Sequence, residues 1–425
     1  MESGNLKPTA SIARRVLLEA VFLGLALLAV EAAITAFAPD DSSLLTQRAR
    51  IASRLGLPFD TRPKSVLVAE LRARGVDAYP SFTREWPEMP EFRSHIGADL
   101  LPLSNVPRAL VVVCNEGGRY ITYRSDEFGF ANPPGMYAHD RIDVAAVGAS
   151  YTEGHCVQPE EAYVARIRAQ IPLTMNFGIA GGAALSSLAT LREFVAPRKP
   201  RIVLWEVHPG SALLGSELAQ PTLRRYLDSG FSQNLMAHED QVDTVLRHAV
   251  DETQQAFDQR GLDRVSAERA HRWSRLIFLP QLRRKLHLDA LFAPKAPPAD
   301  VSHFVEIVRT AKQEVESWGG ELWVVIMPSY AEVVAHEIPP ELQGPAIAKA
   351  LAPLGVRIIN EPAIFERQRD PASLYTMRSN THPNARGHSL LADTILEQLR
   401  KQRPMLVAQG QADARGAIRG PVHTE

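Results

Sequence analysis

Short apolar runs alternate with segments of helical pattern through much of this 425-residue chain. Each run is five to seven residues long, and polar or amphipathic sequence separates it from the next. Runs of this kind are typical of buried parallel strands, because both faces of such a sheet are covered by helices. The predicted strands are Asp143–Val147, Leu173–Phe177, Arg201–Val207, Glu321–Met327 and Val356–Asn360.

Helical periodicity fills the intervals between these strands. The predicted helices are Glu160–Gln170, Ala184–Ala196, Val301–Trp318, Ile338–Leu351 and Asn384–Lys401. Strands and helices in this order predict an α/β domain over residues 141–403, with a doubly wound, five-stranded parallel sheet. The site of such a domain is expected at the carboxyl ends of the strands.

Three segments lie outside this alternation. Residues 218–290 are charged and helical without a strand signal, which predicts a helical insertion. Residues 404–425 are rich in Gly, Ala and Arg, and we expect a disordered tail there. Residues 38–140 form a lead-in region with a small β element, predicted from a strand at Leu110, a Gly-Gly turn and a second strand ending at Arg124.

The N-terminus carries an apolar stretch, Val16–Phe37, of 22 residues. About 20 residues span a bilayer core, and Glu19 and Glu31 lie near the ends, where a charge costs less. Basic residues precede the stretch and Asp40-Asp41 follows it, so the positive-inside rule places residues 1–15 in the cytoplasm and the body of the protein outside. We therefore predict a single-pass anchor in a bacterial inner membrane, with the α/β domain on the periplasmic or extracellular side.

Two other interpretations of this stretch stay open. Ala36-Phe37-Ala38 is an A-x-A signal cleavage site, although Pro39 directly after it would obstruct cleavage. The stretch could also be a buried amphipathic helix. The uncleaved anchor is the favoured interpretation.

Composition excludes some partners and leaves the redox state open. Lys and Arg number 47 against 48 for Asp and Glu, without a clustered basic stripe, so we expect no nucleic-acid partner. Cys114 and Cys156 suit an exported protein with one disulfide, or two buried free thiols. The sequence holds no nucleotide fingerprint and no paired zinc ligands, so no cofactor and no metal is predicted.

The chemistry-bearing residues follow the predicted strands. Ser150 stands after the first strand in Gly148-Ala149-Ser150, where a serine opening a helix projects its hydroxyl from the sheet. The second strand leads to Gly178 and Gly181, and the third to Gly210-Ser211. His382 opens the last helix within Thr381-His382-Pro383.

This ordered series of a serine, a glycine, a polar residue and a histidine resembles the SGNH (GDSL-type) hydrolases over about residues 120–400. The segment Tyr123–Phe130 also looks like the "SDxxGF" segment of membrane-tethered bacterial members. The resemblance implies the flavodoxin-like fold of that family, Ser150 as nucleophile and His382 as base. It further implies an oxyanion site formed by the N–H groups of Ser150 and Gly181, rather than Gly178, with Ser211 as a further donor.

Three positions depart from the family pattern. Ala149 replaces the Asp before the serine, Ser211 replaces the Asn of the third block, and Ser379 replaces the Asp three residues before the histidine. Asp370 and Glu361 are candidates for the acid that orients His382, although neither has the family spacing.

Two further residues lie at the end of the third strand. Glu206 and His208 are interpreted as a charged strand end and a solvent-facing loop histidine. The alternative is a base with its orienting acid.

These observations predict a serine esterase or O-acyltransferase that adds or removes O-acetyl groups on a cell-envelope glycan or another ester. The glycan substrate and an association with envelope polysaccharide machinery come from the resemblance alone. The alternative is a catalytically decayed SGNH domain that serves as a glycan-binding or assembly module.

Overall fold

The structure, a computed structural model, describes residues 9–37, 43–96, 100–209, 216–271, 274–286 and 301–418. The chain comprises two compact units. One contains residues 48–258 and 298–425, and the other contains residues 1–47 and 259–297.

The larger unit is built on a parallel sheet of five strands. They are β4 (Val144–Gly148), β5 (Thr174–Gly178), β6 (Ile202–Val207), β7 (Glu321–Ile326) and β8 (Arg357–Asn360). Their spatial order is β5-β4-β6-β7-β8, which is the flavodoxin-like order 2-1-3-4-5. The predicted doubly wound fold is confirmed, and each predicted strand differs from the observed one by only a residue at either end.

Alternation of side chains along the strands creates two cores, one on each face of the sheet. In β4, Ala145 and Val147 pack in one core, whereas Val144 and Ala146 pack in the other. Trp205 and Trp323 fill opposite faces and are almost completely buried. Helices cover both faces, which explains why the strands are apolar without a polar side.

A second sheet precedes the first in sequence. It contains β1 (Ala78–Pro80), β2 (Leu110–Val112) and β3 (Thr122–Arg124), in the order β1-β2-β3. β1 and β2 are parallel, and β2 and β3 are antiparallel. The segment before the larger sheet therefore contains a small sheet of its own.

Helices of the described residues include predicted and unpredicted elements. They are α1 (Thr9–Phe37), α2 (Leu44–Arg54), α3 (Lys64–Ala73), α4 (Pro90–Arg93), α5 (Ser150–Glu153), α6 (Tyr163–Arg168), α7 (Ala184–Thr190), α8 (Pro221–Arg224), α9 (Glu239–His271), α10 (Pro280–Lys285), α11 (Ser302–Ser317), α12 (Tyr330–Val333), α13 (Gly344–Leu351), α14 (Pro362–Glu366), α15 (Ala385–Gln402) and α16 (Pro404–Ile418). α1 contains a stretch, Ile12–Ala36, that is long and apolar enough to cross a membrane.

The C-terminal tail and the helical insertion differ from the predictions. Residues 404–418 form α16, in contrast to the predicted disorder, because Pro404 opens a new helix and Leu406 and Val407 are buried in the core on one face of the sheet. The helical insertion does not form one module: its first part, including α8, belongs to the larger unit, whereas α10 belongs to the smaller.

Candidate active site

Ser150 lies where β4 ends and α5 begins, so its side chain stands at the carboxyl edge of the sheet. His382 lies in the loop before α15, a helix that Asn384 caps by accepting hydrogen bonds from the N–H groups of Arg386 and Gly387. The fold brings the two together although 232 positions separate them: Ser150 Oγ and His382 Nε2 are 2.9 Å apart. This is the spacing of a nucleophile and its general base.

A carboxylate from the lead-in holds the other side of the imidazole. Glu116 Oε2 lies 3.0 Å from His382 Nδ1 and accepts a hydrogen bond of 2.9 Å from the His382 N–H. Contact with both groups fixes the ring orientation and favours the tautomer with hydrogen on Nδ1. Nε2 is then free to accept the proton of Ser150.

Neither acid suggested by the sequence occupies this place. Asp370 is paired with Arg378 at the surface, and Glu361 is completely buried in the core. Glu116 was missed because it lies 266 positions before His382, in a turn between β2 and β3. A signal existed in Cys114, two residues before Glu116: a bridge to Cys156, six residues after Ser150, would bring Glu116 towards the serine.

That bridge is present in the structure. Cys114 and Cys156 form a disulfide with a Cα–Cα distance of 5.5 Å. It ties the turn that carries Glu116 to the loop that follows α5. The cysteine sulfurs also lie within 4.8 Å of the His155 ring nitrogen, but sulfurs in a disulfide are not thiolate ligands, so we assign no metal to this cluster.

Arg48 completes the chain of hydrogen bonds. Its guanidinium donates to Glu116 Oε1 over 2.6 Å, so each oxygen of the buried carboxylate has a partner. Burial alone would raise the pKa of Glu116, but the charges of His382 and Arg48 and the hydrogen bonds to His382 lower it to about 2. Glu116 is therefore an anion throughout the physiological range.

The same pair sets the protonation of the base. Burial alone would lower the pKa of His382, but the charge and hydrogen bond of Glu116 raise it above its ordinary value. The raised pKa makes His382 a stronger base, which favours removal of the serine proton.

Glu206 stabilises the backbone around Ser150. Its Oε2 atom accepts hydrogen bonds from the N–H groups of Ala149 at 2.9 Å and Thr152 at 2.8 Å. The carboxylate is buried, and His208 is not a solvent-facing loop histidine as the sequence interpretation held. His208 likewise lines the cavity beside Ser150, and burial lowers its pKa to about 4, which keeps it neutral.

The predicted oxyanion residues divide into three cases. Gly181 lines the same cavity as Ser150 and has φ +72°, a left-handed conformation that favours glycine. Gly178 lies under α5, where a Cβ atom would come within 2.2 Å of the Glu153 nitrogen, so it serves close packing. Ser211 lies outside the described residues.

Glu153 positions the segment before Gly181. Its carboxylate accepts hydrogen bonds from the Ala180 N–H at 3.0 Å and from the Tyr123 hydroxyl at 3.2 Å. These buried hydrogen bonds connect the segment after Ser150, the segment before Gly181 and the lead-in sheet.

A cavity of about 690 Å³ opens over Ser150. Its walls are partly apolar and include Phe82, Leu101, Leu103, Leu223 and Ile338. Glu85, Glu88, Glu206 and Glu217 also line it, and among the described lining residues the arginine is Arg84. The lining is therefore suited to a neutral ligand better than to an anionic one.

Comparison with known proteins gives fold-level likenesses only. No family model matches the chain, and no curated protein matches it. Among solved structures, it is similar to a lipase/acylhydrolase from Enterococcus faecalis, with 13% identity and a TM-score of 0.34 over 61% of this chain and 96% of that one. It is also similar to a two-domain esterase (CEX) active on acetylated mannans, with 12% identity and a TM-score of 0.31 over 65% of this chain and 51% of that one.

The same esterase co-crystallized with mannopentaose gives 12% identity and a TM-score of 0.32, over 66% of this chain and 52% of that one. The chain thus spans about half the length of this two-domain esterase. Because each of these TM-scores is below 0.5, the candidate active site is identified from its side-chain geometry and not from these likenesses.

Proposed function

We propose that the protein is a serine esterase or O-acyltransferase with Ser150, His382 and Glu116 as its triad. The observation that carries the proposal is the continuous line from Ser150 Oγ to His382 Nε2 at 2.9 Å and from His382 Nδ1 to Glu116 at 3.0 Å. Ser150, at one end of this line of hydrogen bonds, also borders the cavity in which we propose that the substrate binds.

In the proposed reaction, Ser150 Oγ attacks an ester carbonyl while His382 takes the hydroxyl proton. The N–H groups of Ser150 and Gly181 stabilise the oxyanion, with Ser211 as a further donor. Collapse of the tetrahedral intermediate breaks the ester bond, and His382 returns its proton to the leaving alkoxide. His382 then takes a proton from water or from a sugar hydroxyl, whose oxygen attacks the acyl carbonyl. The bond from the acyl group to Ser150 Oγ breaks, and Oγ receives the proton from His382. Water as acceptor makes the protein an esterase, and a sugar hydroxyl makes it an acyltransferase.

We propose an O-acetylated, uncharged envelope glycan as substrate. The acidic lining around Ser150 disfavours an anionic ligand, and the apolar walls leave room for an acyl group. The apolar helix α1 would anchor the protein in the inner membrane, with the α/β domain on the outer side of that membrane.

The first test is hydrolysis of p-nitrophenyl acetate by the wild type and by three variants. Ser150→Ala and His382→Ala should lose activity, by a factor on the order of 10⁴ or more. Glu116→Gln should lose about 10²- to 10⁴-fold, because the ring would be held less well and in the wrong tautomer. Ser317→Ala, a change at an exposed serine on α11, is the matched control and should keep full activity.

A fluorophosphonate probe separates an enzyme from a decayed binding module. Wild type and Ser317→Ala should be labelled, and Ser150→Ala should not. Equal esterase rates in wild type and Ser150→Ala, together with no specific labelling, would reject the proposal that the protein is an enzyme.

Mass spectrometry of the products from acetylated mannan and a neutral sugar acceptor would then show whether the acyl group goes to water or to a sugar hydroxyl.

A further inference from the structure

Glu31 is an acidic residue within the apolar helix α1, and the structure shows what satisfies its charge. The carboxylate is completely buried and accepts hydrogen bonds of 2.8 Å from the N–H groups of Gln281 and Leu282. These N–H groups belong to the first turn of α10, so Glu31 caps that helix. All these residues belong to the smaller unit.

The capped helix belongs to a short segment that packs on α1. A 3₁₀ turn, Ser274–Phe278, precedes α10, and both elements contact α1. Glu31 lies six residues before the end of α1, about 9 Å along its axis. The 22-residue stretch Val16–Phe37 is about 33 Å long against a hydrocarbon core of about 30 Å, so the contact falls near the outer edge of that core.

The segment Ser274–Leu286 exposes apolar side chains at this level. Ile277 is 69% exposed, Phe278 62% and Leu286 58%. The lipid-facing side chains of α1, such as Leu23 at 63%, have similar exposure. Large apolar side chains grouped on a short segment beside a membrane helix are typical of an element that enters the lipid interface.

The charge of the segment points to the same partner. Its sequence contains Arg275, Arg283, Arg284 and Lys285 and no acidic residue. Basic residues beside an apolar face favour anionic lipid headgroups over neutral ones. A soluble protein partner would explain the apolar side chains but not their continuity with the apolar helix α1.

We infer that Ser274–Leu286 is a second membrane-contacting element, which lies in the outer interface of the bilayer beside α1 and binds anionic lipid. This inference rests on the proposed anchoring by α1 but is independent of the proposed catalysis. The function of Glu31 is then to hold the element at that depth, which accounts for the presence of this charge within the apolar stretch Val16–Phe37.

The test uses the full chain in vesicles of phosphatidylcholine and phosphatidylglycerol, with a nitroxide attached to one introduced cysteine. The variants are Phe278→Cys, Leu23→Cys in α1 and Met405→Cys, an apolar residue that is 85% exposed in the α/β unit. Labelled wild type gives the background, since both native cysteines are in a disulfide. Collisions with oxygen report lipid, and collisions with a water-soluble nickel chelate report water.

We expect oxygen collisions to dominate at Phe278 and Leu23, and nickel collisions to dominate at Met405. Changing Arg283, Arg284 and Lys285 together to Glu should move the Phe278 label towards water, whereas Arg400→Glu with Lys401→Glu should leave it in place. Lipid exposure at Leu23 with water exposure at Phe278 would overturn this inference alone. Water exposure at Leu23 would overturn the anchor and the inference together, and esterase activity would be unaffected in either case.

Discussion

The two carboxylate oxygens of Glu116 bind different partners, the Arg48 cation and the His382 residue. Oε1 binds Arg48, and Oε2 binds the N–H and Nδ1 of His382. An isolated buried carboxylate would be costly, whereas one with three hydrogen-bond partners is well stabilised. Arg48 therefore positions Glu116. Through Glu116, the charge of Arg48 also influences His382.

Removal of this cation should change the pH dependence in a definite direction. The charge of Arg48 lowers the pKa of both Glu116 and His382, so Arg48→Gln should raise both. Because the base works only when deprotonated, the ascending limb of the kcat/KM profile should move to higher pH, by about one unit or less.

Arg54→Gln is the control for this prediction, since Arg54 is an exposed arginine at the end of the same helix, α2. Its pH–rate profile should coincide with that of the wild type. A limb that moves to lower pH in Arg48→Gln, or one that does not move, would show that Arg48 does not act on His382.

Glu206 holds the backbone on both sides of Ser150, next to the alanine at position 149. Glu206→Ala leaves two N–H groups of the serine loop without their carboxylate, so we expect kcat to fall about 10- to 100-fold with little change in KM. Restoring the local acid with Ala149→Asp in the Glu206→Ala background should recover part of kcat.

The control is Glu332→Ala, which removes another buried carboxylate, one that binds the Gly344 N–H at 2.8 Å. Both single variants should lower the melting temperature, but only Glu206→Ala should slow fluorophosphonate labelling. Equal effects of the two on kcat would mean that Glu206 contributes stability and nothing to the position of Ser150.

At the scale of elements, the sheet could be predicted from sequence because each strand is an apolar run closed by polar or turn residues. Val144–Gly148 and Glu321–Ile326 show this pattern within a residue of their observed ends. The tail helix α16 could not be predicted, because its stability comes from burial of Leu406 and Val407 in the tertiary core.

The acid of the site escaped sequence reasoning for a related reason. Ser150 and His382 follow from their local turns, which the motifs encode. Glu116 depends on the docking of the β2–β3 turn against the α5 loop, a long-range contact without a fixed spacing. Arg48 lies still further away, in a helix whose sequence carries no chemical motif.

The Cys114–Cys156 disulfide should matter both for stability and for the rate. It closes a separation of 42 residues, for which loop entropy gives about 4 kcal/mol as an upper figure. The double variant Cys114→Ser with Cys156→Ser should therefore have a lower melting temperature, measured calorimetrically. Its kcat should also fall, because the turn with Glu116 is no longer tied to the α5 loop.

Reductant provides the internal control for the disulfide. Dithiothreitol should shift the melting temperature of the wild type towards that of the double variant and leave the double variant unchanged. If the reduced wild type accepts a thiol reagent at both cysteines and still melts at the same temperature as the oxidised protein, the bridge contributes little.

At the scale of the whole molecule, the proposed anchor and the disulfide indicate the same cellular compartment for the domain. Disulfides persist in oxidising compartments such as the bacterial periplasm. The basic residues before the apolar stretch, Lys7, Arg14 and Arg15, favour retention of the N-terminus in the cytoplasm. On both arguments, we propose that the domain with Ser150 lies on the outer side of the membrane, where the proposed glycan substrate is found.

Reporter fusions test that orientation directly. Alkaline phosphatase, which folds only where its disulfides form, should be active when fused after Glu425, and β-galactosidase at the same position should be inactive. Changing Lys7, Arg14 and Arg15 to Glu should lower the phosphatase activity several-fold by weakening the positive-inside bias. Arg400→Glu with Lys401→Glu, far along the sequence in α15, should not.

The same fusions distinguish an anchor from a cleaved signal peptide. An N-terminal epitope tag should stay on the phosphatase-active protein and fractionate with the membrane if α1 is retained. An active fusion that has lost the tag and is released by osmotic shock would show cleavage near Ala38 instead. The contact between Glu31 and α10 would then be lost from the mature protein, whereas Ser150, His382, Glu116 and Arg48, which all follow that position, would remain.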